Sequence, residues 1–567
     1  MLLLGCAMTS VARAQSVQPV LVLSVASQKQ LWDVLNAVGK YTGDENFVKP
    51  FGDIMGQLLK MPGFSLGELP GVDSSRPWGI ALVNDGGRLK RLGFLPITDE
   101  AMAMASLAPI LGEPVDENGA RKYTVGKDSL LGEQVWYLAA KDGYLFGAED
   151  PAQLQNVPNP LTLTGALEQT YFFSLRIQPQ NASEADRANL LSQLPVVGAM
   201  GEVSDGDAMA AFSGRIMASQ SETLQTILTG AEQITLGWNL DPQGDKIKGD
   251  IQVIPTANSR LAAHLAKMAE PQPSRLAQLV TAGDVMNVHL NLSLEQDQID
   301  RLKGEAVAYR DAVISLIDTA GDTSTDEERT VLRDLVNRVI DIATGTIDKG
   351  HLNVGVRLVG KRPPLSGVLA VGCDRSEDLI KLFDDIATFG KNDPGFEKVE
   401  VDVEKLEGGR IHAFTLAAAK GVKEIELLGK TFKTRRLVVG ISGDRFCVGM
   451  GAQGVDLVKQ ALAPPSGQAA PVQVAMRGGA MAGLMGQMTS EQALQLLTTV
   501  LSMNLAMGPD GQSIDDQATL VVTPSAQDLR AQFEMGNGYL RAVGTVLPLI
   551  SMALQGRGGG GGGLPQF

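Results

Sequence analysis

Cysteine, histidine and aromatic residues are all scarce in this 567-residue chain, with three Cys, four His and 5% Phe, Trp and Tyr together. Few rings, a net charge of −15 and a pI near 4.9 argue against a nucleic-acid partner. Stacking on single strands needs aromatics beside basic grooves, and phosphate contacts need Lys and Arg. None of His264, His289, His351 and His412 has a second His or Cys at a metal-ligand spacing. No Gly-x-Ser-x-Gly elbow is present; Gly440-Ile-Ser442-Gly-Asp444 comes closest and reads better as a hairpin turn. Phosphate-loop and dinucleotide glycine patterns are missing between strand and helix. No run reaches the 18 apolar residues of a membrane-spanning helix. The sequence therefore names no catalytic, cofactor-binding or metal residue.

What is present is a globular composition, 44% apolar and 20% charged. A unit of strand, helix, β-hairpin and helix recurs four times. Its hairpin-plus-helix part reads at 78–111, 234–269, 351–387 and 518–554. The helix after the first hairpin opens at Thr98-Asp-Glu-Ala, with Thr98 as the expected N-cap. Two of the four units carry an extra hairpin, at 135–147 and 437–449. These share Asp, one residue, an aromatic, two apolar residues and Gly: Asp142/Tyr144/Gly147 and Asp444/Phe446/Gly449. The pattern predicts an α+β fold of two pseudo-equivalent halves, with antiparallel sheets and helices on one face. The expected parts are unit A at 17–160, unit B at 165–275, unit A′ at 280–465 and unit B′ at 468–555. Each is too small to bury its own apolar face, so neighbours must complete one another's cores.

Unit A′ carries an insertion at about 294–345. Ser293-Leu-Glu-Gln296 reads as a capping box before a stripe of Ile299, Leu302, Ala306, Tyr309, Val313 and Leu316. Thr325-Asp-Glu-Glu328 opens a second helix with Leu332, Leu335, Val339 and Ile342. An antiparallel helical hairpin follows from this. Its stripe either packs on the sheet or forms an arm for a homodimer. Asp322-Thr-Ser-Thr-Asp326-Glu-Glu328 resembles a weak calcium loop and equally an acid-rich helix start. The adjacent pairs Asp384/Asp385 and Asp515/Asp516 read as solvated surface, because neighbours in sequence point apart. The Met-rich stretch at 476–507 fills a core or lines an apolar groove. For His289, the alternation with Val288 and Leu290 predicts a strand-face histidine.

The start, through Ala12-Arg-Ala14, reads as the end of a secretory signal at 1–14, with cleavage before Gln15. Cys373 and Cys447 then form one disulfide or remain buried thiols. The Gly-rich tail at 556–567 buries nothing and is expected to be disordered. Three segments, Lys141-Asp-Gly-Tyr-Leu-Phe-Gly147, Arg76-Pro-Trp-Gly-Ile-Ala81 and Gly93-Phe-Leu-Pro-Ile-Thr-Asp99, resemble uncharacterised exported proteins of planctomycete-type bacteria. They are also distantly similar to a domain of unknown function in cyanobacterial envelope proteins. That resemblance implies an exported location and an architecture, and no activity. The expected role is a non-catalytic exported protein that binds a protein or ligand on surfaces between units. The alternatives are an enzyme with its site assembled between the halves, and a carrier of apolar ligands or lipids using unit B′. Mass spectrometry of the exported protein checks the leader: a mature chain starting at Gln15 is expected, and an intact Met1 defeats the export reading.

Overall fold

The computed structural model describes residues 18–42, 69–193 and 221–542, apart from 86, 118–119, 126–133, 242–244, 282, 320–324, 361–362, 392, 407, 419–422, 467–468, 489–491 and 509–510. The expected leader, the Gly-rich tail and the last helix beyond 542 lie outside those residues. Contacts divide the chain into a first unit of 1–33 with 49–189 and a second unit of 34–48 with 190–567. The fold is α+β, with helices and extensive antiparallel sheet. Among the described residues no helix is long and apolar enough to cross a membrane.

The first unit opens with β1 (Gln18–Val25), and the division between units falls inside α1 (Gln28–Thr42). A hairpin of β2 (Trp78–Asp85) and β3 (Arg88–Pro96) leads into α2 (Glu100–Leu111). Then come β4 (Val115–Glu117), β5 (Ala120–Val125), β6 (Gln134–Lys141), β7 (Tyr144–Ala148), α3 (Pro160–Thr164), β8 (Phe173–Ile177) and α4 (Glu184–Gln193). The strands pair antiparallel in the order β8-β1-β2-β3-β7-β6-β5-β4. Asp142 and Gly143 both have positive φ, 51° and 73°, as the type I′ turn between β6 and β7 requires. Val22, Ala81, Leu92, Phe94, Tyr144, Phe146 and Leu163 form the core of this unit. The helix cap differs from the sequence expectation. Asp99 takes the N-cap of α2 and accepts from the Met102 N–H at 2.8 Å, while the Thr98 N–H donates to Gly71 O.

The division falls inside α4 as well, and after its last residues the second unit continues, among the described residues, with α5 (221–230). Next are β9 (Ala231–Asp241), β10 (Lys246–Pro255) and α6 (Arg260–Met268), followed by β11 (Met286–Ser293), α7 (Gln296–Thr319) and α8 (Asp326–Ile347). β12 (His351–Val359), β13 (Ser366–Gly372), α9 (Ser376–Gly390), β14 (Phe396–Leu406), β15 (Gly409–Leu416) and α10 (Lys423–Phe432) come next. β16 (Arg436–Ser442), β17 (Arg445–Met450), α11 (Gly454–Leu462), β18 (Val472–Arg477), α12 (Gly478–Met488), α13 (Gln492–Ala506), β19 (Gln517–Pro524) and β20 (Leu529–Met535) complete it. These strands run antiparallel as β9-β10-β20-β19-β18-β11-β12-β13-β17-β16-β15-β14. In the last strand, β14, the register against β15 shifts between Glu400 and Glu404, and Asp402 has φ 51°.

Helices cover both faces of this sheet, not one. On β16, Val438 packs under Leu457, Val458, Ala461 and Leu462 of α11, and its neighbour Val439 packs under Leu379 and Leu382 of α9. Successive strand residues point to opposite faces, so two adjacent buried valines require cover on both sides. The same geometry separates the cysteines. Cys447 lies in the α11 core and Cys373 in the α9 core, and both are free and buried. Burial pushes the Cys447 thiol up to about 12, with Arg445 opposing.

The hairpin insertion forms as α7 and α8. The second capping box is made, with Glu328 N–H on Thr325 Oγ1 and Thr325 N–H on Glu328 Oε2 at 2.7 Å. The first is displaced by two residues. Ser293 ends β11 with its hydroxyl buried and unpartnered among the described residues, and Gln298 Oε1 caps the Glu295 N–H instead. The expected apolar stripe splits: Ile299 and Ile342 are buried, whereas Tyr309, Leu316, Leu332 and Val339 are exposed.

The shared glycine of the two extra hairpins gives a comparison. A Cβ on Gly449 would lie 2.6 Å from Gly454 O and 2.7 Å from Val458 Cγ2, against fixed backbone. On Gly147 it would meet only side chains, Leu138 Cδ2 at 3.0 Å and Trp136 Cε3 at 3.2 Å. Gly449→Ala is expected to cost about 1–3 kcal/mol by urea unfolding, as overpacking does. Gly147→Ala should cost less.

Candidate functional site

On β11, alternate residues Asn287, His289 and Asn291 share one face, and all three are polar. Their side chains hold the segment between α6 and β11, residues 272–280, as a strap across the sheet. Asn287 Nδ2 donates to Leu279 O. Asn291 Nδ2 donates to Gln272 O at 2.9 Å. His289 lies between them, fully buried, with Nδ1 3.1 Å from Ala470 O and Nε2 2.7 Å from Ser274 Oγ. A carbonyl only accepts, so Nδ1 carries the proton and Nε2 accepts from the Ser274 hydroxyl. Ser274 Oγ in turn accepts from the Leu276 N–H at 3.2 Å.

Beyond Ser274 the strap packs by apolar contact. Leu276 and Leu279 are buried in the α11-side core, directly over Gly355 of β12. A Cβ there would sit 2.8 Å from Leu279 Cδ1, so the glycine permits the strap's close approach. Upstream, Gln272, Pro273 and Arg275 form one wall of a cavity of about 160 Å³, completed by Asn291, Thr346, His351, Asn353, Gly372 and Asp374. That volume is well above the roughly 10–15 Å³ one water needs.

The lining is a directed hydrogen-bond chain. Because Gln272 O fixes Asn291 Nδ2, the Asn291 Oδ1 faces Asn353 and accepts from its Nδ2 at 2.7 Å. Asn353 Oδ1 is then left buried without a partner among the described residues. Arg275 is held by Asp374 Oδ1 at 2.8 Å and by Asp444 Oδ2 at 3.3 Å. Gly372 adjoins Asn353; a Cβ on it would be 3.0 Å from Asn353 Cβ and 3.3 Å from Arg275 Cδ.

Ser274 and His289 look at first like a nucleophile and its base. Geometry argues against that role. His289 has 0% exposure, so its Nε2 has no path to a leaving group, as general acid catalysis requires. The pair serves to fasten the strap. His289 sits on a strand face, and it is the fully buried one, while its neighbours Val288 and Leu290 are half-buried.

The other histidines lie apart. His264 Nε2 is 2.9 Å from Asp297 Oδ2, and Arg260 reaches both Asp297 and Glu222, tying α5, α6 and the start of α7 together. Burial opposes ionisation of Asp297, but its bonds to His264 and Arg260 outweigh that and hold the carboxyl below the usual range. His412 is buried on β15, with Nδ1 accepting from the Asp402 N–H at 3.3 Å and Nε2 unpartnered among the described residues. His351 lines the cavity and is exposed. Among the described residues no three His, Cys, Asp or Glu side chains gather as a metal would need.

Asp384 and Asp385 point to different partners, Arg410 and Arg338. Asp516 departs from the surface expectation. It is 3% exposed and accepts from Arg477 Nε at 2.9 Å and from the Gly479 N–H at 3.0 Å, at the start of α12. Met485, Met503 and Met507 are exposed, not core. Small residues make the contact between α12 and α13: a Cβ on Gly486 would meet Thr498 Oγ1 at 2.4 Å, and the helices touch there without the methionines. Of the residues named in the calcium-like loop, Asp322 lies outside the described residues and Glu328 is occupied by its cap.

Comparison of the chain with protein-family models, curated proteins and solved structures finds no match.

The strap has a pH signature. Burial lowers the affinity of His289 for a proton, against its bond to Ala470, and burial also lowers that of His412. An unfolded imidazole protonates near pH 6.5. Below that pH the unfolded chain binds more protons than the folded one, so stability falls as pH falls. Melting temperature is expected to drop between pH 7.5 and 5.5, and His289→Asn to flatten the drop while leaving the His412 share.

Proposed function

We propose that this chain is an exported, non-catalytic binding protein that holds a small polar ligand in the cavity under the 272–275 strap. The observation that carries this is the unpartnered acceptor of Asn353 in a cavity walled by Arg275, Asp374 and His351. A buried polar atom left unpaired costs about 1–3 kcal/mol, so a donor at that position is favoured. The full burial of His289 supports a binding role over a hydrolytic one.

The cavity lies where the end of unit B meets the start of unit A′, which fits a protein that binds at junctions between its repeats. Two further features support a doubled architecture. The order β1-β2-β3-β7-β6-β5-β4 has the same form as β11-β12-β13-β17-β16-β15-β14. In each case the next strand along the chain, β8 or β18, pairs antiparallel with the first strand of the set. The β9–β10 hairpin of unit B pairs with β20 of unit B′, as expected of units that complete one another.

Thermal-shift measurements with small polar compounds and with fatty acids test the reading, using the wild type and Gly372→Ala. The added methyl would lie 3.0 Å from Asn353 Cβ and 3.3 Å from Arg275 Cδ, so it crowds two side chains that wall the cavity. Polar compounds should stabilise the wild type and lose that effect in Gly372→Ala. Stabilisation only by fatty acids, equal in both proteins, would replace this reading with the apolar carrier.

A further inference from the structure

We infer that the second unit carries another binding site, a trough for the acyl chain of a single lipid, on the face of its sheet opposite the strap; it is independent of the cavity. Strand register is the first argument. One row crosses the sheet through Leu369, Val356, Val288, Val474, Leu520 and Phe533, on β13, β12, β11, β18, β19 and β20. It continues onto β10 at Gly249, which the Phe533 ring overlies. Parallel rows run through Leu290 on one side and Met286 on the other. Every position in these rows, over seven strands, is apolar or glycine. No side chain in them carries a charge, an N–H or an O–H.

Exposure is the second argument, because it is inverted. On β11 the polar Asn287 and His289 are 2% and 0% exposed beneath the strap, whereas Met286, Val288 and Leu290 on the other face are only half-buried. On β12, likewise, Asn353 is buried while Val354 and Val356 are half-buried. Every residue of β18 is half-buried, and Leu369 is 43% exposed. An antiparallel sheet ordinarily packs its apolar side and solvates its polar one. Here the strap covers the polar side, and the apolar side stays open to something outside the chain.

Size and charge select the occupant. Seven strands at roughly 4.8 Å spacing and three rows roughly 7 Å apart give a trough about 29 Å by 14 Å, on the order of 400 Å². That is about half of the roughly 800 Å² per partner in a stable protein interface, so the face is small for a second copy. An acyl chain, about half of a bilayer's roughly 30 Å hydrocarbon core, fits within its length. The rows hold no cation, and the chain carries a net charge of −15. An anionic headgroup or membrane surface is therefore repelled, and a lipid with an uncharged head is favoured.

Isothermal titration calorimetry of the whole chain with monooctanoyl, monodecanoyl and monododecanoyl glycerol, each below its micelle threshold, tests this. Saturable binding is expected, with Kd falling by about fourfold for each added pair of CH₂ groups, as burial of one of the two gives. Leu369→Asp, at an exposed position that the fold tolerates, should weaken binding about tenfold by setting a charge in the trough. Val474→Asp, at the centre, should abolish it, with circular dichroism to check the fold. Gly372→Ala, on the cavity side of the sheet, should leave it unchanged. Lipid binding that Gly372→Ala removes and Leu369→Asp spares would overturn the trough and leave the cavity as the site. Absence of saturable binding, or a Kd that ignores chain length, also overturns it. A wild type that sediments as a dimer and a Leu369→Asp variant that sediments as a monomer, without lipid binding, would make the face a contact between copies instead.

Discussion

Polar side chains buried on the inner face of a strand must find partners, and the second unit is arranged around that demand. Asn287, His289 and Asn291 stand where an ordinary half-buried strand carries Val or Leu. Each is paired with the strap or with a neighbouring carbonyl. A loop is ordinarily expelled to the surface because its backbone groups need water. Here side chains from β11 take over that task for Gln272 and Leu279, and the loop lies on the sheet. Leu276 and Leu279 then add apolar contact that no solvated loop could make. The cavity is a by-product of the same arrangement. The strap is anchored at Leu276 and again at Gln272, and it spans the gap between them over Asn353 and Gly372.

The sheet beneath is stiffened from both sides. Side chains of α11 and α9 close on β16 and β17 from opposite faces, α11 also covers β13, and the aromatic group of Phe383, Phe414 and Phe446 fills the α9 side, with ring centroids 5.4–6.3 Å apart. The cavity lies beside this wall, with Asn353 of β12 and Gly372 of β13 in its lining. Its polar groups are set by the pairing of β11, β12 and β13 in register.

Much of the strand and hairpin order was legible from the chain, because period-two alternation and Asp-Gly turns act locally. β2 with β3, β6 with β7, and β16 with β17 all fall within a residue or two of the ranges read from the sequence. Other elements were passed over. Val399, Val401 and Val403 alternate with charges in β14, but β4, β5 and β14 carry Asp, Glu, Lys and Arg and look like connections. The double cover of β16 was also there to be read in Leu437-Val-Val-Gly-Ile441, a continuous apolar run. For the cavity the signal was weaker. Asn287-x-His289-x-Asn291 announces a polar inner face. Which carbonyls meet it depends on residues up to 181 positions apart, and no local pattern encodes that register. Arg275, Asn353 and Gly372 are unremarkable alone.

The irregularity in β14 has a consequence for behaviour at high concentration. An outermost strand with regular pleating offers a template on which a second molecule can zip up, the first step toward fibrils. The skipped register between Glu400 and Glu404, with Asp402 twisted into left-handed backbone, interrupts that template midway. Its run of Glu, Lys and Asp would also set like charges against one another in any stacked copy. Colloidal stability is thus written into one kinked and charged strand, at the far edge of the sheet from β9.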